Sequence, residues 1–487
     1  MLFNSWQFAI FLPIVFILYY YLPFKFRWAM LLIASCIFYM VFIPYYILIL
    51  ALTILVDYFA AIKIEGTEEK KRKKIYLIVS IVSTCLILFI FKYYDFFISN
   101  FNQIGNLIHW NYSINTLKII LPIGLSFHTF QSLSYVIEVY RGKQKAEKNF
   151  GIYSLYVMFF PQLVAGPIER PQNLIHQFYQ EHKFDYEKIT NGLKKIAWGL
   201  FKKVVIADRI ALLVNPVFDN PTKYQDHGII FVIASFLFAF QIFCDFSGYS
   251  DIAIGSAQIL GFKLMKNFDR PYFSESISEF WKRWHISLSS WFRDYLYIPL
   301  GGNKVSKSRY ILNIMVVFLL SGFWHGANWT FVVWGGLHGS YLIFSKISSK
   351  LRLFLVNLLK IDYFPKTHSV IKIIITFILV DIGWVFFRAP NIDDALYILK
   401  LSITKFNISD INLLSLEKLN FNVFNLFIVM FFILLMEIVH FIQRKSNITQ
   451  ILSQKPLYFR WGIYVFISLI ILYFGIFTNQ KFIYFQF

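Results

Sequence analysis

Charge is scarce in this sequence, and acidic charge most of all. Only 15% of the 487 residues are Asp, Glu, Lys or Arg, with 27 acids against 47 bases. An ordinary soluble domain carries about a quarter. Cysteine is almost missing: Cys36, Cys85 and Cys244 stand singly in apolar runs, which excludes a disulfide framework and a cysteine metal site. No zinc spacing, P-loop, dinucleotide fingerprint or nucleophile elbow occurs, so those routes to catalysis are set aside. Internal repeats are lacking too, and so is any stretch polar enough for a soluble domain. The N-terminus has neither the basic region nor the small-residue cleavage site of a signal peptide. Phe8 to Leu22 is therefore expected to be a retained first span.

What is present is apolar. Hydrophobic residues make up 57% and aromatics 20%, with a mean hydropathy of +0.57. Runs of about 17 to 25 apolar residues, long enough to cross a bilayer, recur along the chain. The expected fold class is an all-α polytopic membrane protein with about 11–12 transmembrane helices plus re-entrant and interfacial helices. The net charge of +20 would suggest nucleic acid in a soluble protein. Here the bases lie in short loops between apolar runs, as orientation by cytoplasmic Lys and Arg requires. Membrane lipid, and no nucleic acid, is the partner this implies.

Trp28 to Ile62 is too long for one helix and contains Pro44, so it predicts a hairpin of two spans. The run Lys70-Lys71-Arg72-Lys73-Lys74 marks a cytoplasmic loop. A span over about 75–98 leads to an uncharged far-side loop, 99–116, and a span over about 117–140 returns. Gly151 to Leu163 is too short to cross and is broken by the Pro161–Pro167 stretch; it predicts a re-entrant segment lining a cavity. Further spans are expected near 196–214, 229–260, 310–324, 327–345, 371–387, 423–441 and 461–478, with a more acidic far-side loop over 391–417. The whole chain, 1–487, reads as one membrane-embedded domain with its informative motifs between about 120 and 340.

Three stretches carry chemistry. In Leu320–Trp329 an ionisable side chain, His325, lies between Trp324 and small residues at membrane depth. Such residues are functional candidates by default, and a neutral imidazole can accept a proton; a core histidine bonded to a carbonyl is the plain alternative. In Ser278–Tyr297 helical spacing puts Trp281, Trp284, Leu288, Trp291, Phe292 and Tyr295 on one face, with His285 at its edge. An interfacial helix explains the aromatics but not that histidine. Pro299–Lys304 should end it in a turn. In Cys244–Asp251, Asp245, Tyr249 and Asp251 bring carboxylates and hydroxyls into an apolar run, where they need partners or water; scaffolding is the commoner role and substrate contact the other. Glu169 and Arg170 suggest a salt bridge or an anion contact. His338 is too far round and along a straight helix to pair with His325. His109, His176, His182, His227, His368 and His440 read as surface residues.

These motifs resemble the membrane-bound O-acyltransferase family, and within it the bacterial branch that O-acetylates alginate and other polysaccharides. The resemblance rests on Trp284-His285-Ile286-Ser287-Leu288-Ser289, Trp291–Tyr295, Tyr297–Gly302, Phe323–Ala327, Pro161–Ile168, Asp245–Asp251 and Phe482–Phe487. It implies a multi-helix fold around a funnel and tunnel in the plasma (inner) membrane of a bacterium. It implies catalytic roles for His325 and His285, and a thioester donor on the cytoplasmic side, acetyl-CoA or an acyl carrier, with no permanently bound cofactor and no metal. A polysaccharide acceptor outside and a secreted or periplasmic SGNH-type acetyltransferase partner follow from the same likeness. Substrate- or donor-binding candidates are Lys282, Arg283, Arg293, Asp294, Lys304, Asp245, Tyr249, Asp251, Gln162, Trp324 and Asn328; Arg and Lys of this kind suit donor phosphates, although cytoplasmic bases are expected anyway. D-alanyl transfer to teichoic acid and a non-catalytic transporter of acyl groups or polysaccharide stay open as alternatives.

Overall fold

A computed structural model describes all residues except 111, 165, 408–421, 445–447, 478–481 and 484–487. The described chain is helical, with no strand among the described residues. This is the solution a backbone adopts in lipid, where every N–H and C=O must be satisfied within the segment. Among the described residues, six helices are long and apolar enough to cross a membrane: Tyr46–Glu65, Lys70–Leu107, Gly228–Ile259, Pro365–Arg388, Val423–Ile442 and Leu457–Phe474. The chain is a multi-pass membrane protein. The other segments expected to span are helical as well, but shorter or more polar.

In chain order the helices are α1 (Trp6–Tyr21), α2 (Phe24–Met40), α3 (Tyr46–Glu65), α4 (Lys70–Leu88), α5 (Tyr94–Leu107), α6 (Leu125–Tyr140), α7 (Phe150–Met158), α8 (Phe160–Leu163), α9 (Pro171–Leu174), α10 (Tyr186–Leu200), α11 (Asp208–Asp219) and α12 (Gly228–Ile259). They continue as α13 (Ile277–Arg283), α14 (Ile286–Phe292), α15 (Lys307–His325), α16 (Trp329–Ile347), α17 (Ser349–Leu358), α18 (Pro365–Arg388), α19 (Ile392–Thr404), α20 (Val423–Ile442) and α21 (Leu457–Phe474). Two compact units are built from them. One comprises Met1–Ile196 and Tyr249–Met265, the other Ala197–Gly248 and Lys266–Phe487.

In the first unit α2 and α3 form the expected hairpin, broken over 41–45 around Pro44. Helix α3 is tied to α4 by a buried acid: Asp57 accepts from Ser80 Oγ at 2.6 Å and Thr84 Oγ1 at 3.2 Å. The span expected over 75–98 instead runs on to Leu107, through a π-turn at Phe89–Tyr93. The span expected from 117 starts only at Leu125. Asp95 explains the late start, because its carboxylate accepts from the backbone N–H of Leu117 at 2.7 Å and of Lys118 at 3.0 Å, and Gly124 then turns the chain at φ 80°. The short segment 151–163 is α7 and α8 with a break at Phe159, buried from Ile152 onward.

The second unit holds a large aromatic core drawn from α11, α12, α13, α16 and α18. Its tightest element is the α15–α16 hairpin. A Cβ on Gly322 would lie 2.2 Å from the Phe331 carbonyl oxygen, and one on Gly335 would lie 2.3 Å from that of Phe318. Backbones approach this closely only where both residues are small. Gly322→Ala must therefore spread the hairpin, a cost of about 1–3 kcal/mol for an overpacked site, whereas Gly336→Ala meets only Leu319 Cδ2 at 3.6 Å. Thermal unfolding of the detergent-purified protein is expected to show a clear loss for the first variant and none for the second. The acidic loop expected over 391–417 contains a helix, α19, started by the Asn391 side chain capping Asp394 N. Positions 408–417 of that loop lie outside the described residues.

Candidate active site

His285 sits where one helix was expected. The periodicity of Ser278–Tyr297 predicts a continuous segment, but α13 stops at Arg283, α14 begins at Ile286, and His285 between them is left-handed at φ 42°, ψ 56°. For a non-glycine residue that conformation costs about 1–3 kcal/mol and is held only where the surroundings dictate it. Asn267 dictates it here. Its carbonyl accepts from Ile286 N at 2.9 Å, replacing the bond a continuous helix would have made. Its side-chain Oδ1 faces Ser287 N at 3.2 Å, Ser287 Oγ at 2.9 Å and His285 Nδ1 at 3.1 Å. Phe246 of α12 stands edge-on to the imidazole at 4.6 Å, and Phe268 stacks at 6.3 Å. His285 is wholly buried.

His325 is the last residue of α15 and is only 4% exposed. The helix ends there because Asn328 starts the next one, accepting from Thr330 N at 3.0 Å. Rings surround the imidazole: Trp324 and Trp334 with centroids at 5.0 Å and Phe387 of α18 at 5.4 Å. Trp324 also lies 6.3 Å from His285, so a single indole is in contact with both histidines. A low-dielectric aromatic wall of this kind strengthens any charge interaction formed inside it.

His338 is also wholly buried. It sits on α16 rather than on a straight continuation of the His325 helix, and Trp334 packs against both rings, at 5.0 Å from His325 and 5.1 Å from His338. The two imidazoles thus share a tryptophan across a helix hairpin, an arrangement that one-helix geometry does not describe.

The remaining candidates divide. Arg283 pairs with Glu279 at 2.6 Å and Arg293 with Asp294 at 2.8 Å, whereas Lys282 and Lys304 are exposed. Pro299–Lys304 does form a turn, with Gly301 and Gly302 at positive φ. Asp245 accepts from Lys203 Nζ at 2.6 Å and from the backbone N–H of Ile483 at 2.8 Å. Asn328 spends its amide on Pro390 O at 2.9 Å as well as on its cap. In the other unit, Tyr249 OH accepts from Phe3 N at 3.2 Å, Gln162 donates to Tyr156 O at 2.7 Å, and Asp251 is half-buried. There Glu169 accepts from the backbone N–H of Met265, and Arg170 lies 3.5 Å from Ser134 Oγ. Of the six histidines expected at the surface, His440 is not there: it is buried against Phe243 and Trp198, with Glu437 at 3.4 Å. Of the Phe482–Phe487 stretch, only Phe482 and Ile483 are described, both buried; 484–487 lie outside the described residues.

Sequence reasoning missed Asn267, Ser287, Lys203 and the buried His128 of α6. The one available signal was at Asp245, whose need for a partner was legible while Lys203 was hidden inside an expected span. Outside the spans, Glu275 anchors the loop before α13 to α18 through Ser369 Oγ at 2.6 Å and Lys372 Nζ at 3.2 Å. The Ser369 hydrogen bond, helped by the Lys372 charge, holds its carboxyl below the usual range. Among the described residues no group of His, Cys, Asp and Glu could hold a metal ion.

Residues 148–387, which include both histidines and Trp324, match the MBOAT, membrane-bound O-acyltransferase family. The chain is 38% identical over 401 residues to a "Probable alginate O-acetylase" of Azotobacter vinelandii, covering 81% of this chain and 76% of the relative. It is 38% identical over 435 residues to a peptidoglycan O-acetyltransferase of Helicobacter pylori, covering 82% and 79%. A teichoic acid D-alanyltransferase of Streptococcus thermophilus is 33% identical over 255 residues, 47% of this chain and 57% of that one. Agreement over four fifths of the chain with two O-acetylating relatives settles the kinship: this chain belongs to the membrane-bound O-acyltransferase family.

Proposed function

We propose that the chain moves an acetyl group from a cytoplasmic thioester, acetyl-CoA or an acyl carrier, to a polysaccharide outside the plasma (inner) membrane, directly or through a secreted or periplasmic SGNH-type transferase. The observation that carries this is the pair of buried histidines on either side of Trp324, in a chain whose relatives are named O-acetylases. In the reaction the acceptor hydroxyl oxygen attacks the thioester carbonyl, a C–O bond forms and the C–S bond breaks. His325 takes the hydroxyl proton and returns it to the leaving thiolate, so the imidazole ends as it began. His285, at a strained and over-determined position, orients the donor. Lys282 and Lys304 are the cations placed to meet donor phosphates. The test is to incubate purified protein with acetyl-CoA labelled in the acetyl group. Thiol release and label on the producing cell's polysaccharide are expected; no thiol release from any acyl thioester would sink the reading. The D-alanyl relative makes a D-alanyl carrier thioester the comparison donor, and preference for it would move the assignment to teichoic acid.

Sidedness is part of the same proposal. Lys and Arg near span ends set orientation, which puts the regions around Lys70, Lys143 and Lys304 inside and those around Asn106, Asp226 and Asp394 outside. Single cysteines introduced there, in a chain lacking Cys36, Cys85 and Cys244, are expected to split in intact cells. Only the last three should react with a thiol reagent that does not cross membranes. Labelling near Lys304 from outside would place the donor on the wrong face and discard the transmembrane route.

A further inference from the structure

We propose that Asn267 is a positioning residue for His285: it holds the imidazole in the tautomer that carries its proton on Nδ1 and so leaves the proton-accepting lone pair on Nε2. The inference rests on the reading that His285 takes part in acyl transfer, and it concerns which ring nitrogen is available to do so.

The backbone fixes which way the Asn267 amide points. Ser287 N lies 3.2 Å from the Asn267 side-chain atom placed as Oδ1. A backbone N–H can only donate, so the atom opposite it is the amide oxygen; the usual ambiguity between the two ends of an asparagine amide is removed. The same oxygen takes the Ser287 hydroxyl at 2.9 Å and faces His285 Nδ1 at 3.1 Å. That oxygen offers lone pairs and no proton. Ser287 Oγ also lies 3.4 Å from Nδ1, but its one proton goes to the nearer Asn267 oxygen; a bare Nδ1 would then set lone pair against lone pair in a buried site, so Nδ1 carries the hydrogen and donates. A neutral imidazole has one N–H only, and Nε2 is then the acceptor.

The placement around this bond is equally constrained. Asn267 is 1% exposed and His285 is wholly buried. The carbonyl of Asn267 takes Ile286 N at 2.9 Å, so one residue holds both the left-handed backbone and the ring proton of His285. Phe246 edge-on at 4.6 Å and Phe268 stacked at 6.3 Å fix the ring plane. An imidazole that merely filled space would require none of this. A group that must present one chosen nitrogen requires its other nitrogen bonded and its ring unable to flip.

Full-length protein carrying 15N-labelled histidine, in lipid nanodiscs, reads the tautomer directly, with His285→Gln identifying the relevant signals. Wild type is expected to show His285 protonated at Nδ1 and bare at Nε2. Asn267→Ala removes the acceptor and is expected to mix the tautomers and lower kcat with acetyl-CoA by about 10²-fold, the scale of a misplaced reacting group, with KM unchanged. Asn267→Asp keeps an oxygen acceptor at the same place and is expected to restore the Nδ1–H signal and most of the turnover. A wild-type Nε2–H tautomer, an unaltered tautomer in Asn267→Ala, or unchanged kcat in that variant would each overturn the proposal. Wild-type protein that releases no thiol from any acyl thioester would instead refute the functional reading, and the nitrogen signals would still decide the tautomer.

Discussion

Replacing His325 with alanine is expected to cut acyl transfer by about 10²–10⁴-fold, the range a general base contributes, while the chain stays folded and inserted. The expectation comes from where the ring sits. His325 closes α15 and is 4% exposed, with Trp324, Trp334 and Phe387 centroids all within 5.4 Å. The neutral imidazole is the form able to take a hydroxyl proton, and the aromatic faces hold the ring in one place. The ring lies among aromatic faces, so its loss leaves a hole, and some stability is lost with the activity. His325→Gln separates the two effects, since it refills much of the volume with a side chain that cannot act as a base near neutral pH. Both variants are expected to be inactive, with the glutamine protein unfolding closer to wild type. O-acetylation of the cell's polysaccharide and the amount of protein in the membrane are the measurements. More than about a tenth of wild-type activity in either variant would remove His325 from the role of base.

How much of this was legible beforehand depends on the range of the interaction that decides each feature. Membrane character follows from composition alone, and the boundaries of α12, α15, α16 and α20 follow from local hydropathy with errors of a few residues. The hairpin of α2 and α3 was legible because Pro44 marks it. Features decided by distant partners were not. Nothing in the spacing of Ser278–Tyr297 shows a break at His285, since neither glycine nor proline stands there; the break is imposed by Asn267, which takes Ile286 N onto its own carbonyl. The start of α6 was misplaced for the same kind of reason, because Asp95 captures the N–H groups of Leu117 and Lys118. The two histidines could be singled out by residue type and by resemblance. That Trp324 touches both is a property of packing between α15 and the α13–α14 corner, which a hydropathy pattern does not encode. His440 was misread because a polar residue at the end of an apolar run looks exposed until α12 and α10 are placed against it.

Lys203→Met is expected to be the most destabilising single change outside the histidine site. Lys203 is 1% exposed on its side chain and lies 2.8 Å from Asp208 and 2.6 Å from Asp245, both of them buried. Removing one partner of a buried pair leaves an uncompensated charge at a cost of about 3–5 kcal/mol. Here it leaves two carboxylates facing each other. The consequence reaches further than α11 and α12. Asp245 Oδ2 holds the backbone N–H of Ile483 at 2.8 Å, and the neighbouring Phe482 packs at 5.7 Å on Phe246, the residue edge-on to His285. Relaxation of Asp245 therefore loosens a contact chain ending at a site histidine. The charge count yields a contrasting expectation for Asp208→Asn. Two acids share one base, so removing one acid leaves a balanced Lys203–Asp245 pair, and stability should change by no more than about 1 kcal/mol. Thermal unfolding of the purified variants, read with acetyl-CoA turnover, checks both. Equal losses for Lys203→Met and Asp208→Asn would show that the network is held by packing rather than by charge, and the route from Lys203 to His285 would lose its basis.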